Sequence, residues 1–121
     1  MRMIETEAQL QANVITFFRH ALPDETVYFA VPNGEYRTKK TGARLKKQGV
    51  MPGVADIIIV HEGRIIGLEL KTKKGRQSAE QVEFAKRLTK AGGAYYIARS
   101  LAEVELVLAA EHIGVKARVA A

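Results

Sequence analysis

The sequence predicts an α/β domain with one mixed central sheet flanked by helices. Three observations lead to this class. Segments with helical periodicity alternate with short apolar runs, in the order α-β-(α)-β-β-α-β-α. Two of the apolar runs are separated only by a short turn, which predicts a hairpin. The chain has 121 residues, enough for one domain with its own core, so residues 1–121 are treated as a single unit.

Each element follows from a local pattern. The first helix carries an apolar stripe that includes Ala8, Val14 and Phe18, and Pro23 follows its end. The strands are short runs rich in β-branched and aromatic residues with turn residues between them. A basic segment before the second of these runs predicts a short helix. The predicted elements are helix 5–20, a short buried strand 27–31, helix 38–48, strands 56–60 and 64–71, helix 78–90, strand 94–98 and helix 100–110.

The most informative residues lie in the predicted hairpin. Asp56 opens its first strand, and Glu69 and Lys71 lie near the end of its second. Because strand side chains alternate between faces, Glu69 and Lys71 share one face of the sheet. Two acids and a lysine are therefore predicted to converge at one end of the hairpin, where they can hold a divalent metal beside an ammonium group.

This set of groups suits the hydrolysis of a phosphodiester. Mg²⁺ prefers a few carboxylates and keeps several waters. A bound metal neutralises charge on the phosphate and lowers the pKa of its water, while a nearby lysine orients that water or stabilises the developing charge. The alternative is that Glu69 and Lys71 form only a surface ion pair, worth about 0–1 kcal/mol. The pattern of an Asp followed at any distance by Glu-x-Lys does not by itself distinguish a metal site from a surface ion pair.

The excess of basic residues is concentrated beside these acids. Lysine and arginine total 19 against 13 acids, for a net charge of +6. Residues 36–55 and residues 72–79 contain no acid at all. Both stretches flank the predicted acid site, which favours a polyanionic substrate over a charged face kept for solubility. The candidate DNA contacts are Asn33, Arg37, Lys39, Lys40, Arg44, Lys46, Lys47, Lys73, Lys74 and Arg76, with bracing of the loop as the alternative role of Asn33 and Arg37.

Other features narrow the class of protein. The chain has no cysteine, which excludes disulfides and thiolate metal sites and fits a reducing cytoplasm. It has no signal-peptide pattern and no apolar run near the roughly 20 residues of a membrane span. His20, His61 and His112 lack ligand spacing, so they are expected on the surface and not as zinc ligands. The small, basic tail 113–121 is predicted to fray.

Together the ordered motifs resemble the VRR-NUC domain of the PD-(D/E)xK nuclease superfamily, and its small standalone phage and prophage members most of all. The resemblance runs from about residue 7 to residue 108. The motifs that carry it are Pro32-Asn33-Gly34 with Arg37, Lys46 to Gly49, Gly53 to Asp56, Glu69 to Lys71 and Ser78 to Gln81. It implies a restriction-endonuclease-like core and a DNA endonuclease that depends on Mg²⁺ or Mn²⁺. It also implies action on branched DNA such as four-way (Holliday) junctions, often as a homodimer.

The resemblance implies roles for particular residues. Asp56 and Glu69 would bind the metal, and Lys71 would be the catalytic lysine. The backbone carbonyl of Leu70 would add a metal ligand, and Gln81 would help to arrange the active site. The acid of the first helix, Glu7, would lie near the metal or its waters.

Several of these residues have a structural explanation as well. Ser78-x-x-Gln81 is also a capping box, and the two explanations of Gln81 carry equal weight. Glu7 lies in a first helical turn, where an acid favours the helix dipole. Gly53 serves either as a turn residue or to let the backbone approach phosphate. Ala55 replaces the proline that the family usually has before the metal-binding acid, which affects the stiffness of the turn more than the chemistry.

Two other function classes stay open from the sequence. One is a DNA-binding module without catalysis that keeps this fold. The other is a sequence-specific restriction-type endonuclease, for which 121 residues leave little room for recognition elements. The two acids and the lysine favour the structure-specific nuclease, because a binding module gains nothing from carboxylates beside phosphate.

Overall fold

The computed structural model describes residues 5–32 and 39–119, and every predicted helix and strand is found there within two residues of its predicted ends. The match in order and length confirms the α/β class. The elements are α1 (Glu7–Ala21), β1 (Val27–Ala30), α2 (Lys39–Lys47), β2 (Ile57–His61), β3 (Arg64–Leu70), α3 (Ala79–Lys90), β4 (Ala94–Ala98) and α4 (Leu101–Ala110).

The four strands form one mixed sheet in the order β1-β2-β3-β4. β1, β2 and β3 are antiparallel to their neighbours, and β4 is parallel to β3. A parallel pair needs a long crossover connection, which α3 provides. The register places Ile58 opposite Gly67 and Glu69 opposite Ile97. The acid on β3 therefore lies in the interior of the sheet and not at its edge.

The hydrophobic core lies on the face of the sheet covered by α1 and α4. Val14 and Phe18 of α1 and Leu108 of α4 are buried there, together with Ile57 of β2 and Leu68 of β3. Period-two alternation accounts for this face, because Ile57 and Leu68 are register partners and point the same way.

The opposite face carries α3 and the acid of β3. A Cβ atom at Gly67 would lie 3.1 Å from Leu88 of α3. The ring of Tyr95 on β4 meets Phe84 of α3 edge-on, with 6.0 Å between ring centroids. Glu69 shares this face with Gly67, so α3 partly covers the end of the sheet where Glu69 lies.

Two details of the sequence prediction are wrong. Residues 27–31 were predicted to form a buried strand, but β1 is the sheet edge and its Val27 and Phe29 are 56% and 49% exposed. These side chains are exposed because β1 lies at the edge of the sheet, beyond the reach of α3, which packs mainly on β4. His61 was expected on the surface, yet it is buried, and its Nδ1 lies 2.8 Å from the hydroxyl of Thr26.

The segment after α4 packs against the domain as far as residue 119. Ile113 is buried in the core, and the backbone N–H of Lys116 donates to the carbonyl of Ala21 at 2.7 Å. The N–H of Val119 donates to Glu105 at 2.9 Å. The fraying of residues 113–121 stays a prediction, and residues 120 and 121 lie outside the described ranges. No helix in the described ranges is long and apolar enough to cross a membrane.

Candidate active site

Asp56 is held at the end of the sheet by two hydrogen bonds. It lies directly before β2, and its backbone carbonyl accepts from the N–H of Val31 at 2.8 Å. Its side-chain Oδ2 accepts from the N–H of Leu70 at 2.7 Å. The second bond ties the carboxylate of Asp56 to the last residue of β3. The carboxylates of Asp56 and Glu69 are therefore neighbours, as the hairpin pattern predicted.

Glu69 is a buried carboxylate with only one of its oxygens hydrogen-bonded. Its side chain Oε2 accepts from the amide of Gln81 at 2.8 Å and lies 3.5 Å from Nζ of Lys71. Its Oε1 is buried and has no hydrogen-bond partner, the single such side-chain atom in the part of the chain that the structure describes. A buried acceptor without a partner is costly, so Oε1 is an oxygen that a proton or a cation can satisfy.

Burial and a second acid disfavour the charged form of Glu69. Loss of solvation comes first and the negative charge of Asp56 second, and together they raise the pKa of Glu69 to about 8. The ammonium of Lys71 acts in the opposite direction. Two carboxylates this close need either a proton between them or a cation.

A divalent cation fits this pair of acids. Asp56 and Glu69 would both be ligands, and the unpartnered Oε1 of Glu69 is an oxygen available for coordination. No cluster of three or more His, Cys, Asp or Glu side chains suited to a metal occurs within residues 5–32 and 39–119. A site built on two carboxylates with remaining positions open to water and substrate is the kind that Mg²⁺ accepts. A metal bond from the backbone carbonyl of Leu70 stays a prediction. The observed contact of Leu70 with the acids is the hydrogen bond from its N–H to Asp56.

Lys71 lies on the same side of the sheet end as Glu69, as the period of two predicted. Its backbone N–H donates to the carbonyl of Ala98 at 3.1 Å, which continues the β3–β4 ladder by one residue. Its side chain is mostly buried, with the residue 8% exposed. The ion pair with Glu69 is therefore not the solvated surface pair that the sequence had left as the alternative.

Gln81 serves the helix and the acid cluster with the two ends of one amide. Its Oε1 accepts from the N–H of Ser78 at 2.8 Å, and its own N–H donates to the Ser78 hydroxyl at 3.2 Å, which completes the capping box. Its Nε2 donates to Glu69 at 2.8 Å. The capping box is therefore confirmed, and the cap fixes the rotamer that reaches Glu69, while the role of Gln81 in arranging an active site stays a prediction.

Glycine is required at position 53 for a structural reason that the sequence did not indicate. Its φ is +78°, and a Cβ atom there would lie 2.3 Å from the backbone carbonyl carbon of Glu80 and 2.7 Å from the N of Gln81. The turn before Asp56 therefore packs directly on the first turn of α3. Only glycine permits that approach, which brings Asp56 and Gln81 to the same end of the sheet.

Arg99 is a residue of the site region that sequence reasoning missed. Its guanidinium donates to the carbonyls of Thr72 and Gly75 at 2.6 and 2.7 Å. These bonds clamp the basic loop after β3. The exposed side chains on that loop are the predicted DNA contacts Lys73, Lys74 and Arg76. A lone arginine after β4 gives no sequence signal for this role, because its partners are backbone groups of a distant loop.

The other predicted contacts lie on or before α2. Arg44, Lys46 and Lys47 are exposed on this helix. Only the backbone of Lys39 and Lys40 is described. Asn33 and Arg37 lie outside the described residues.

Glu7 occupies the exposed first turn of α1, after a capping box formed by Thr6 and Gln9. Gln11, one turn later, lines a cavity together with Asp56. This end of α1 therefore faces the acids, and a metal-binding role for Glu7 stays a prediction.

Tyr95, which was not predicted as a site residue, lies on the same sheet face as Glu69. Its hydroxyl accepts from Gln77 at 3.3 Å, and burial raises the pKa of Tyr95 to about 12.

The mixed four-stranded sheet flanked by helices is consistent with a restriction-endonuclease-like core. Among solved structures, the chain is similar to one titled "VRR_NUC domain protein", with a TM-score of 0.67, 20% identity and 88% of each chain covered. The chain thus has the fold of a VRR-NUC domain, as the sequence motifs predicted. No family model matches the sequence, and no curated protein matches it.

Proposed function

We propose that this chain is a DNA endonuclease that depends on Mg²⁺ or Mn²⁺ held by Asp56 and Glu69. The observation that carries the proposal is the buried Oε1 of Glu69, which has no hydrogen-bond partner within the described residues and lies beside a second carboxylate. When bound, the cation would neutralise charge on the scissile phosphate and acidify the attacking water. The same atoms would be a liability in a protein that only binds DNA.

The protein groups around the acids have distinct tasks in this reaction. Lys71 directs its ammonium towards the attacking water and the charge that develops on the phosphate oxygens. The amide of Gln81 and the N–H of Leu70 fix the orientation of Glu69 and Asp56. The water oxygen attacks phosphorus in line with the 3′ oxygen, the bond to that oxygen breaks, and the 3′ oxygen is protonated. The products are a 5′ phosphate and a 3′ hydroxyl, as the resemblance implies.

DNA is the proposed substrate because exposed cations precede and follow the acids in the chain. One group lies on the loop clamped by Arg99, and the other lies on α2. Contacts of this kind hold the phosphate backbone without reading sequence. This supports recognition of DNA shape, and branched DNA such as a four-way junction is the substrate that we propose.

A twofold homodimer is proposed because symmetric cutting of a junction needs two active sites. Val27 and Phe29 of β1, with Ile58, Val60 and Ile65, form an apolar patch on the face of the sheet that carries Glu69. We call this set the β1 patch. Antiparallel pairing of two β1 edges is self-complementary, as a twofold interface must be. It would extend the sheet and leave both acid sites on one side of the dimer.

The cleavage test uses a four-way junction, a flap, a splayed arm and a plain duplex with Mg²⁺ or Mn²⁺. We expect junction cleavage by the native protein, a loss of about 10³-fold or more in Glu69→Gln, and normal cleavage by the exposed control Glu25→Gln. Tight junction binding without cleavage would contradict the proposal and favour the binding module. Cutting of plain plasmid at fixed sites would favour the restriction-type enzyme.

The dimer is tested by light scattering on the free protein and on the junction complex. Phe29→Glu in the β1 patch should give a monomer, whereas Leu106→Glu, at an exposed position of α4, should leave the dimer intact. A native protein that stays monomeric on junction DNA would overturn the dimer without affecting the nuclease proposal.

A further inference from the structure

A cavity of about 560 Å³ opens beside Asp56 and takes no part in the roles given above. One wall is a face of α1 that includes Ala8, Ala12 and Arg19, and the segment after β1 with Val31 lies opposite. Asp56 itself lines the cavity. Any strand whose phosphodiester reaches the acid pair must leave the site through such an opening on at least one side. We call this cavity the α1 groove.

We propose that the α1 groove binds the sugar-phosphate backbone of the cleaved DNA strand on one side of the scissile phosphate, with Arg19 paired to a phosphate. This inference rests on the proposed nuclease function and names a part of the substrate path that the two basic segments do not cover. It places the strand along α1, on the side of the site formed by this helix and the end of β1.

The side chains of the groove suit a backbone and not a base. Ala8 and Ala12 lie one turn apart on α1 and leave the helix surface open to close approach. None of the described residues that line the groove is aromatic, so it offers no stacking platform of the kind that holds unpaired bases. The hydroxyl of Thr16 donates to the carbonyl of Ala12 at 3.1 Å, so its hydrogen is not available to an acceptor on a base edge.

Arg19 supplies the charge that a phosphate needs. Its side chain is exposed, and no carboxylate of the described residues lies within salt-bridge distance of it. An arginine fork is the side chain best suited to a phosphate. The eleven-residue separation of Ala8 and Arg19 spans about 16 Å of helix. Successive nucleotides on one strand of B-DNA rise only about 3.4 Å, so the groove has room for more than one nucleotide.

The experiment combines two groove variants with a scan of the substrate. Arg19→Gln removes the charge, and Ala12→Leu fills the groove. Arg118→Gln and Ala102→Leu make the same changes at exposed positions away from it. Single phosphates around the cut are replaced one at a time by neutral methylphosphonates. Binding is measured without divalent cation over a range of salt, and kcat and KM are measured with Mg²⁺.

We expect one methylphosphonate position to weaken binding by the native protein and to have no further effect in Arg19→Gln. Arg19→Gln should also lower the slope of log K against log salt by about 0.7–0.9, the value for one phosphate contact. Ala12→Leu should raise KM roughly tenfold with a smaller change in kcat, because a blocked path costs mainly binding. Both control variants should behave as the native protein.

The outcomes separate this inference from the proposed function. If the native protein cuts the junction and Arg19→Gln and Ala12→Leu match their controls, the groove assignment is wrong and the nuclease stands. If the native protein neither binds nor cuts any DNA of the panel, both are overturned. Thermal unfolding of each variant establishes that it is folded before these comparisons are made.

Discussion

The acid cluster and α2 are both parts of the proposed site, but they differ in how the fold supports them. Asp56, Glu69, Lys71 and Gln81 are joined by contacts of 2.7 to 3.5 Å, either to one another or through the backbone of Leu70. α2 has no extensive packing against any other element in the described part of the chain, and three of its basic side chains are exposed.

This difference reflects what each region has to do. Catalytic groups lose rate when they are misplaced by about 1 Å, so they benefit from a shell that fixes their rotamers. Phosphate contacts act over longer distances through charge and need less exact placement. Changes in the cluster should therefore have large, non-additive effects, and changes on α2 should have small, additive ones.

Among the residues that contact the acid pair, the largest effect is expected at Gln81. Gln81→Ala should lower kcat about 100-fold, because Glu69 loses its orienting donor, and Glu69→Gln plus Gln81→Ala should be little worse than Glu69→Gln alone. Ser78→Ala removes only the other half of the cap and should cost about 1 kcal/mol of stability with a much smaller loss of rate. Equal rate losses in Ser78→Ala and Gln81→Ala would mean that Gln81 acts only as a cap.

Gly53→Ala should destabilise the fold more than the same change at Gly63. Both glycines have φ near +80°, so both variants carry the same backbone penalty of about 1 kcal/mol. The Cβ at residue 63 meets nothing within 4 Å, whereas at residue 53 it meets the backbone of α3. Chemical denaturation should give a difference of about 1–3 kcal/mol between the two variants. Equal stabilities would show that the turn can move away from α3 freely.

The pKa of Glu69 predicts a pH-dependent stability in the absence of divalent cations. The pKa of Glu69 is about 8 in the folded protein against an ordinary value of 4.5. Between pH 4.5 and pH 8 the folded protein therefore keeps a proton on Glu69 that the unfolded chain has lost. Stability should therefore fall by up to about 1.4 kcal/mol per pH unit as pH rises from near 5 to near 8, and should level off above that. Saturating Mg²⁺ should reduce the fall.

The control for this measurement is Glu69→Gln, which cannot ionise. Denaturation midpoints of the two proteins should diverge as pH rises, with the variant the more stable at pH 8 without metal. Parallel pH profiles for the native protein and the variant would show that Glu69 does not titrate in this range.

The smallest effects are expected from the two basic regions, and they should differ in kind. Arg99→Gln releases the loop that carries Lys73, and it should weaken DNA binding several-fold while the loop loses protection from hydrogen exchange. Lys47→Gln on α2 should weaken binding by a similar or smaller factor, lower the salt slope by about 0.9, and leave exchange elsewhere unchanged. Identical exchange in the two variants would show that the Arg99 clamp does not order the loop.

Much of the fold was predictable because its signals are local. Each helix and strand has its own periodicity or its own turn residues, so the element order follows from short windows of sequence. The wrong predictions concern long-range position. Whether the apolar run of β1 is covered depends on where α3 packs, and the burial of His61 depends on its contact with Thr26, 35 positions earlier in the chain.

The candidate site divides in the same way. The alternation of strand side chains determined that Glu69 and Lys71 share a face, and the spacing of Ser78 and Gln81 determined the cap at the start of α3. These are properties of one strand and one helical turn, which the sequence specifies by itself.

The tertiary structure alone decided that the cap amide of Gln81 would meet Glu69, that Gly53 would permit this by close packing on α3, and that Arg99 would hold the basic loop. It also decided that Glu69 would be buried with one oxygen unpartnered. Each of these depends on the distance between elements far apart in the chain. Such distances are set by the packing of the whole core, and no local pattern encodes them.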